Sequence, residues 1–175
     1  MTERTGELTA KGTPLTVYGP KLKPGDKAPD FELVDTNRGT VKLSDSAGKV
    51  RLISVVPSLD TSLCNDQTQR FDAELAILSD DRIVFYAVSA DLPHAQARWC
   101  DEAGVERVQP LSDHRDMNFG NAWGTHIKEL RLEQRSVFVV DGEGVIRYAE
   151  YASEQSSPLD YDAALKALKD VAGVD

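Results

Sequence analysis

The sequence predicts an α/β fold, a mixed central sheet flanked by helices, and three observations carry that prediction. Two runs, Arg51–Val56 and Ile83–Val88, are almost continuously apolar and β-branched, as strands covered on both faces require. Between them, from about Ser62 to Ser79, the spacing turns helical, with Leu63, Phe71, Leu75 and Leu78 near one stripe. Towards each end of the chain, short stretches alternate apolar and polar residues around turn signals, the mark of hairpins with one buried face.

Taken in order, residues 1–24 read as an extended arm, rich in proline, with Pro14–Tyr18 suited to a short edge strand. Phe31–Val34 and Thr40–Leu43 flank Asn37-Arg-Gly39 and are expected to pair as a hairpin. Arg51–Val56, the helix from Ser62 and Ile83–Val88 make a βαβ unit with parallel strands. A helix over Pro93–Ala103 is bounded by proline in its first turn and by Gly104 at its end. A strand near Val108–Leu111 and a short helix within Arg115–Trp123 come next. Ser136–Val140 and Val145–Ala149 flank Asp141-Gly-Glu-Gly144 as a hairpin, and Tyr161–Val171 closes as an amphipathic helix with Leu165 and Leu168 inward. No repeat, low-complexity tract or linker divides residues 1–175, so one domain is expected.

Composition narrows the function. Twenty-nine acidic residues against 20 basic ones give a formal charge of -9, which repels polyanions and argues against nucleic acid or an anionic membrane surface as partner. No apolar run reaches the roughly 18 residues of a membrane span, and the first residues do not resemble a signal peptide, so the cytoplasm is the expected compartment. Two cysteines, Cys64 and Cys100, are too few for a disulfide scaffold or a four-cysteine zinc site. His94, His114 and His126 have no ligand spacing, so no metal is expected.

Cys64 stands within the first turn of a helix that leaves the C-terminal end of a buried strand, where open α/β sheets place their ligand sites. Free backbone N–H groups and the positive helix end favour a thiolate there. The plain alternative is a small buried cysteine packed as a hydrophobe. Thr61 lies three residues earlier, placed either to cap the helix or to hydrogen-bond a substrate oxygen over the sulfur. Arg131, Glu133 and Arg135 alternate as an exposed edge does, so taken alone Arg135 reads as a solvated charge. Trp99 reads first as a packing anchor.

The octapeptide Pro57-Ser-Leu-Asp-Thr61-Ser-Leu-Cys64 resembles the PxxxTxxC signature of peroxiredoxins, and its Pro-Ser-Leu-Asp-Thr start is similar to the thiol peroxidase (Tpx) subfamily. Ser89-Ala-Asp-Leu-Pro-His-Ala-Gln-Ala-Arg-Trp-Cys100 resembles the stretch that carries the resolving cysteine of that subfamily. The likeness continues through Gly25–Phe31, Leu111–Asp113, Arg135–Asp141 and Asp160–Leu165. It implies a thioredoxin-like fold with an N-terminal β-hairpin, and it puts Arg135 where the family carries its catalytic arginine.

The resemblance further implies a peroxidase cycle for hydrogen peroxide and organic hydroperoxides, and antioxidant defence as its use. Cys64 attacks the peroxide and becomes a sulfenic acid; Thr61 and Arg135 hold the oxygens; Pro57 shields the pocket. Cys100 then condenses with Cys64 to an intramolecular disulfide that thioredoxin reduces. No cofactor is needed, and a homodimer is carried over from the subfamily. Because each cysteine sits in a helix, whereas a disulfide needs Cα atoms within about 7 Å, local unwinding is expected in every cycle. The likeness weakens over the charged segment Gly124–Gln134, and His94 replaces a phenylalanine common in the subfamily. Two other functions compete. A cysteine-nucleophile hydrolase would require a histidine base and no Cys100, and a peroxide-sensing thiol protein would consume peroxide slowly and keep a stable disulfide.

Overall fold

The computed structural model describes residues 1–175. Strands β1 (Glu3–Ala10) and β2 (Thr13–Tyr18) pair antiparallel, so residues 1–24 are a hairpin rather than an arm with one edge strand. The pattern is faint because the hairpin buries only Leu8, Leu15 and Val17, which close on Ile127 in a small core of their own. Strands β3 (Glu32–Val34) and β4 (Thr40–Lys42) form the expected second hairpin, and Leu43–Ser46 leaves it as a 3-10 turn instead of extending the strand.

Strand β5 (Val50–Val55), helix α1 (Ser62–Leu78) and strand β6 (Ile83–Ser89) form the βαβ unit, with β5 and β6 parallel. Helix α2 spans Pro93–Ala103, with Pro93 in its first turn and Gly104 in the left-handed conformation at its end. Strand β7 (Val108–Ser112) lies parallel to β6, and helix α3 is confined to Asn118–Trp123. Two short strands follow, β8 (His126–Ile127) and β9 (Leu132–Glu133), each of two residues and so too brief to leave a period in the sequence. Strands β10 (Ser136–Val140) and β11 (Ile146–Tyr151) form the last hairpin, and helix α4 (Tyr161–Ala172) closes the chain.

The main sheet has seven strands in the order β11-β10-β5-β6-β7-β3-β4, and β1-β2-β8-β9 form a second sheet. Alternation along the central strands divides the interior. Ile53, Val55 and Phe138 face an aromatic layer with Phe31, Phe119 and Trp123, whereas Leu52, Val137 and Val139 face Phe71, Phe85, Leu165 and Leu168. With both faces covered, each such fully buried aliphatic or aromatic side chain contributes roughly 1.5–3 kcal/mol, which explains why polar residues are scarce in β5 and β6. The loop after β2 presses on the end of α3 at Gly124, whose φ is +73° and where a Cβ would collide with the Pro20 carbonyl. Arg4 donates to the carbonyls of Gly19 and Gly124 at that junction, tying β1 to the end of α3. The buried Arg51 likewise staples two loops below β5, donating to the Ser46 hydroxyl and the Leu43 carbonyl of the 3-10 turn and to the Asp141 carbonyl of the last hairpin. No helix is long and apolar enough to cross a membrane.

Candidate active site

The site lies where β5 ends and α1 begins. The chain leaves β5 through Val56 and the half-buried Pro57, turns at Ser58–Asp60 and enters the helix after Thr61. The carboxylate of Asp91, at the approach to α2, fixes this loop by accepting from the Ser58 hydroxyl (2.7 Å), the Leu59 amide (2.8 Å) and the Ser89 hydroxyl (2.8 Å). Thr61 occupies the N-cap position but its side chain does not cap. It is exposed, and its hydroxyl donates to the Ser58 carbonyl at 3.1 Å, which leaves the oxygen lone pairs available to a donor in the cleft.

Cys64 lies in the first turn of α1, as its position in the sequence predicts, and is fully buried. The first bond of the helix type runs from the Asn65 amide to the Thr61 carbonyl (2.9 Å), so helix geometry leaves the amides of Ser62, Leu63 and Cys64 without an intrahelical acceptor. Around the sulfur, Val56, Leu59 and Trp99 form an apolar wall. From the opposite side comes the one charge that reaches it: Arg135 donates from Nη2 to Cys64 Sγ at 3.3 Å.

Arg135 is 2% exposed, so the reading of the 131–135 alternation as a solvated edge is wrong. Glu133 is also fully buried, because β9 pairs with β8 and is covered by α3. Every donor position of Arg135 has a defined task. Nη1 donates to Gln67 Oε1 (3.3 Å), Nε donates to the Gln155 carbonyl (3.2 Å), and the main-chain amide donates to Gln155 Oε1 (2.8 Å). Gln67 is held in turn by donating to the Ser54 hydroxyl at 2.7 Å, and Gln155 Nε2 donates to the Glu133 carbonyl at 3.3 Å. Sequence reading missed both glutamines. Gln67 had a signal, since it lies three residues after Cys64 and must share its helix face; Gln155 sits in a loop and had none.

A cleft of about 610 Å³ opens over the start of α1; Arg135 and Leu63 lie on its wall, whereas Cys64 is buried behind them. Pro57, Thr61, Leu63 and Arg135 line it, together with Leu130 and Leu132 from the segment where the family likeness weakens. The structure thus brings together four of the five residues singled out from sequence: Pro57, Thr61, Cys64 and Arg135. Cys100 lies elsewhere, on α2, packed at the edge of the apolar wall, and both cysteines are free thiols. Burial, followed by the charges of Asp101 and Asp72, pushes the Cys100 thiol up to about 11. No cluster of histidine, cysteine and carboxylate side chains has metal-binding geometry. His94 is exposed, and His126 stacks edge-on against Tyr18 with its Nδ1 2.7 Å from Asn121 Oδ1.

Glu133 adds a buried acid beside this framework. Burial, and then the hydrogen bond and charge of Asp113, hold its carboxyl well above the usual carboxylate range. Asp113 meanwhile accepts from the Phe119 and Gly120 amides at the start of α3, and Thr125 donates to Glu133 Oε2. A carboxyl raised on folding contributes stability that is complete below its ordinary value of 4.5 and is lost as pH climbs towards the raised value. Glu133→Gln, which keeps a donor without an ionisable proton, is expected to flatten this part of the profile. Thermal unfolding from pH 4.5 upward checks it, and an unchanged slope would assign the loss to other groups.

With this geometry in place, comparison identifies the class. Residues 24–149 match the AhpC/TSA family, and the chain belongs to that family. The fold is thioredoxin-like: a peroxiredoxin-like protein from Aquifex aeolicus superposes with a TM-score of 0.87 at 30% identity, covering 96% of this chain and 99% of the other. A thiol peroxidase from Chromobacterium violaceum, 23% identical, shares the fold with a TM-score of 0.83 over 93% of this chain and 95% of its own. In sequence, the chain is 50% identical to the thiol peroxidase of Bacillus subtilis (strain 168) over 163 residues, 93% of this chain and 96% of that protein.

Proposed function

We propose that this chain is a thiol peroxidase of the peroxiredoxin type, with Cys64 as the peroxidatic cysteine and Cys100 as the resolving one. The observation that carries the assignment is the Arg135 guanidinium at 3.3 Å from Cys64 Sγ, beside a cleft open to small molecules. A fixed cation donating to sulfur stabilises negative charge there, and the same fork lies close enough to hold the far oxygen of a peroxide. The sulfur attacks one oxygen in line and the O–O bond breaks. The other oxygen leaves as water or an alcohol once it has gained a proton, and sulfur, oxidised by two electrons, becomes a sulfenic acid. Thr61 orients the peroxide, the free amides of the first turn hold the oxygen at sulfur, and Pro57 limits water at the cleft.

Cys100 completes the cycle by attacking the Cys64 sulfenic acid: the S–S bond forms, the S–OH bond breaks and water leaves. Thioredoxin then reduces the disulfide. Residues 1–175 act as one domain in the cytoplasm, as a homodimer, on small uncharged hydroperoxides for which the net charge of -9 is no obstacle. No histidine lies on the wall of the cleft, which disfavours a cysteine hydrolase. One equivalent of hydrogen peroxide, followed by thiol blocking under denaturing conditions and mass spectrometry, is expected to give a loss of two hydrogens and a linked Cys64–Cys100 peptide. Two unmodified thiols would overturn the proposal. Slow consumption with a disulfide that thioredoxin does not reduce would favour a sensor.

A further inference from the structure

We propose that Trp99 and Asn65 are positioning residues for the resolving step, forming a clasp that holds the Cys100 turn of α2 against the Cys64 turn of α1 until sulfur is oxidised. This rests on the peroxidase reading above. Each partner is the immediate chain neighbour of a cysteine. Trp99 Nε1 donates to Asn65 Oδ1 at 3.0 Å, and this is the one side-chain hydrogen bond between the two helices. Gln69 Nε2 donates to the same oxygen at 2.9 Å and so fixes the asparagine amide for its role as acceptor. The Trp99 ring, buried against Val56, Leu59 and Cys64, is part of the wall behind the sulfur.

The surrounding contacts show why this bond, and not the whole helix, controls the movement. Both ends of α2 are pinned by carboxylates. Asp91 holds the loop before α1 from the N-terminal side, and beyond the C-terminal end Asp72 accepts from the amides of Glu106 (2.9 Å), Arg107 (2.7 Å) and Val108 (2.8 Å). Between those anchors, the only other side-chain tie from the Cys100 helix to the Cys64 segment is Arg98 with Asp60, at 3.4 Å and with both side chains about 60% exposed, a pair of little energetic weight. Between two fixed anchors, the Cys100 turn is free to unwind once the indole N–H lets go. Disulfide formation needs that release, since the bonded arrangement keeps two helical turns intact.

The clasp therefore sets a competition at the sulfenic acid. If Cys100 arrives first, the S–S bond forms and water leaves. If the clasp stays closed, a second hydroperoxide oxidises sulfur by two further electrons to a sulfinic acid, its O–O bond breaking to release water or alcohol, and the enzyme is lost to the cycle. Loss of one neutral hydrogen bond corresponds to a change of roughly three- to tenfold in the opening equilibrium.

Trp99→Phe keeps the ring packing and removes the donor; Asn65→Ala removes the acceptor. Each variant is mixed with hydrogen peroxide and quenched for mass spectrometry at intervals; Asn65→Ala is expected to form sulfenic acid at the rate of the unaltered protein, and Trp99→Phe, whose ring borders the sulfur, is read by the ratio of its resolution rate to its own rate of sulfenic acid formation. Each is expected to convert the sulfenic acid to the disulfide several-fold faster, and to need correspondingly more peroxide for half of the chains to reach sulfinic acid. The double variant is expected to add little to either single one. Normal sulfenic acid formation with unchanged resolution in both variants would overturn the clasp and leave the peroxidase reading intact. Failure of Cys64 to oxidise in the unaltered protein would overturn both. A variant that resolves faster only in proportion to a general loss of thermal stability, with slower sulfenic acid formation, would mark a merely structural role and overturn the clasp as well.

Discussion

Arg135→Lys is expected to lower kcat/KM for hydrogen peroxide by about two orders of magnitude, the scale seen when one preorganised donor to a developing oxyanion is removed. Charge alone does not explain why so much is lost, since lysine keeps it. The guanidinium performs three tasks at once: Nη2 to Cys64 Sγ, Nη1 to Gln67 Oε1 and Nε to the Gln155 carbonyl. A lysine ammonium is one nitrogen on a flexible stem; if it reaches the sulfur, it abandons the glutamine and the carbonyl. At a position only 2% exposed, it is also desolvated without a carboxylate neighbour in hydrogen-bond contact, which favours the neutral amine and removes the charge as well. The cost falls on the transition state, where negative charge moves from sulfur to the departing oxygen and a two-nitrogen fork spans both. Stopped-flow measurement of peroxide consumption reads the loss, and circular dichroism with urea unfolding shows whether the fold is kept. A decrease of less than tenfold in a folded variant would mean that the first-turn amides of α1, not Arg135, carry the activation of Cys64.

What sequence reading recovered and what it missed divide along a physical line. The parallel unit of β5, α1 and β6, the helix bounded by Pro93 and Gly104, and the closing helix from Tyr161 were legible because each is long enough to show a period or is bounded by residues with fixed backbone preferences. Strands β8 and β9 have two residues each, and β1 buries little, so neither patterning nor length betrayed them. The same missing strands explain the error over Glu133 and Arg135. Alternate charges in a row look solvated when nothing is known to cover them; here β8, α3 and the 152–156 loop cover them, and a charged residue under cover must find partners. Cys64 and Thr61 were legible by their place after a buried strand. Gln67 shared the helix face of Cys64 and could have been flagged, but its role in aiming Arg135, 68 residues away, and the whole of the part played by Gln155 became visible only when the chain was folded.

Cys100→Ser is expected to leave the first reaction with peroxide at its normal rate and to abolish continued turnover with thioredoxin. The two effects separate because Cys100 takes no part in the hydrogen bonds of Arg135 and, on the proposed cycle, its sulfur is not needed until Cys64 has been oxidised. One equivalent of peroxide should be consumed, and the Cys64 sulfenic acid should then accumulate, open to trapping by a sulfenic-acid-selective reagent. Full turnover in this variant would remove Cys100 from the cycle and reopen the hydrolase and sensor readings. The pH dependence of the unaltered protein sharpens the test. In the folded form, burial and two acidic neighbours push the thiol up to about 11, against an ordinary value of 9.0, so that unwinding α2 raises its thiolate fraction near neutrality by roughly 100-fold. The sign for stability follows: a thiol whose value is raised on folding stabilises the closed helix below about 9, and that contribution is lost as pH rises towards 11. Resolution should therefore accelerate with pH for two reasons that act together, a larger thiolate fraction and an easier opening, whereas consumption of the first peroxide should not follow the same curve. On the proposed cycle, a reduced helix that keeps its second thiol neutral would prevent that thiol from competing for peroxide, and oxidation of Cys64 followed by unwinding would make it a nucleophile only when there is a sulfenic acid to attack.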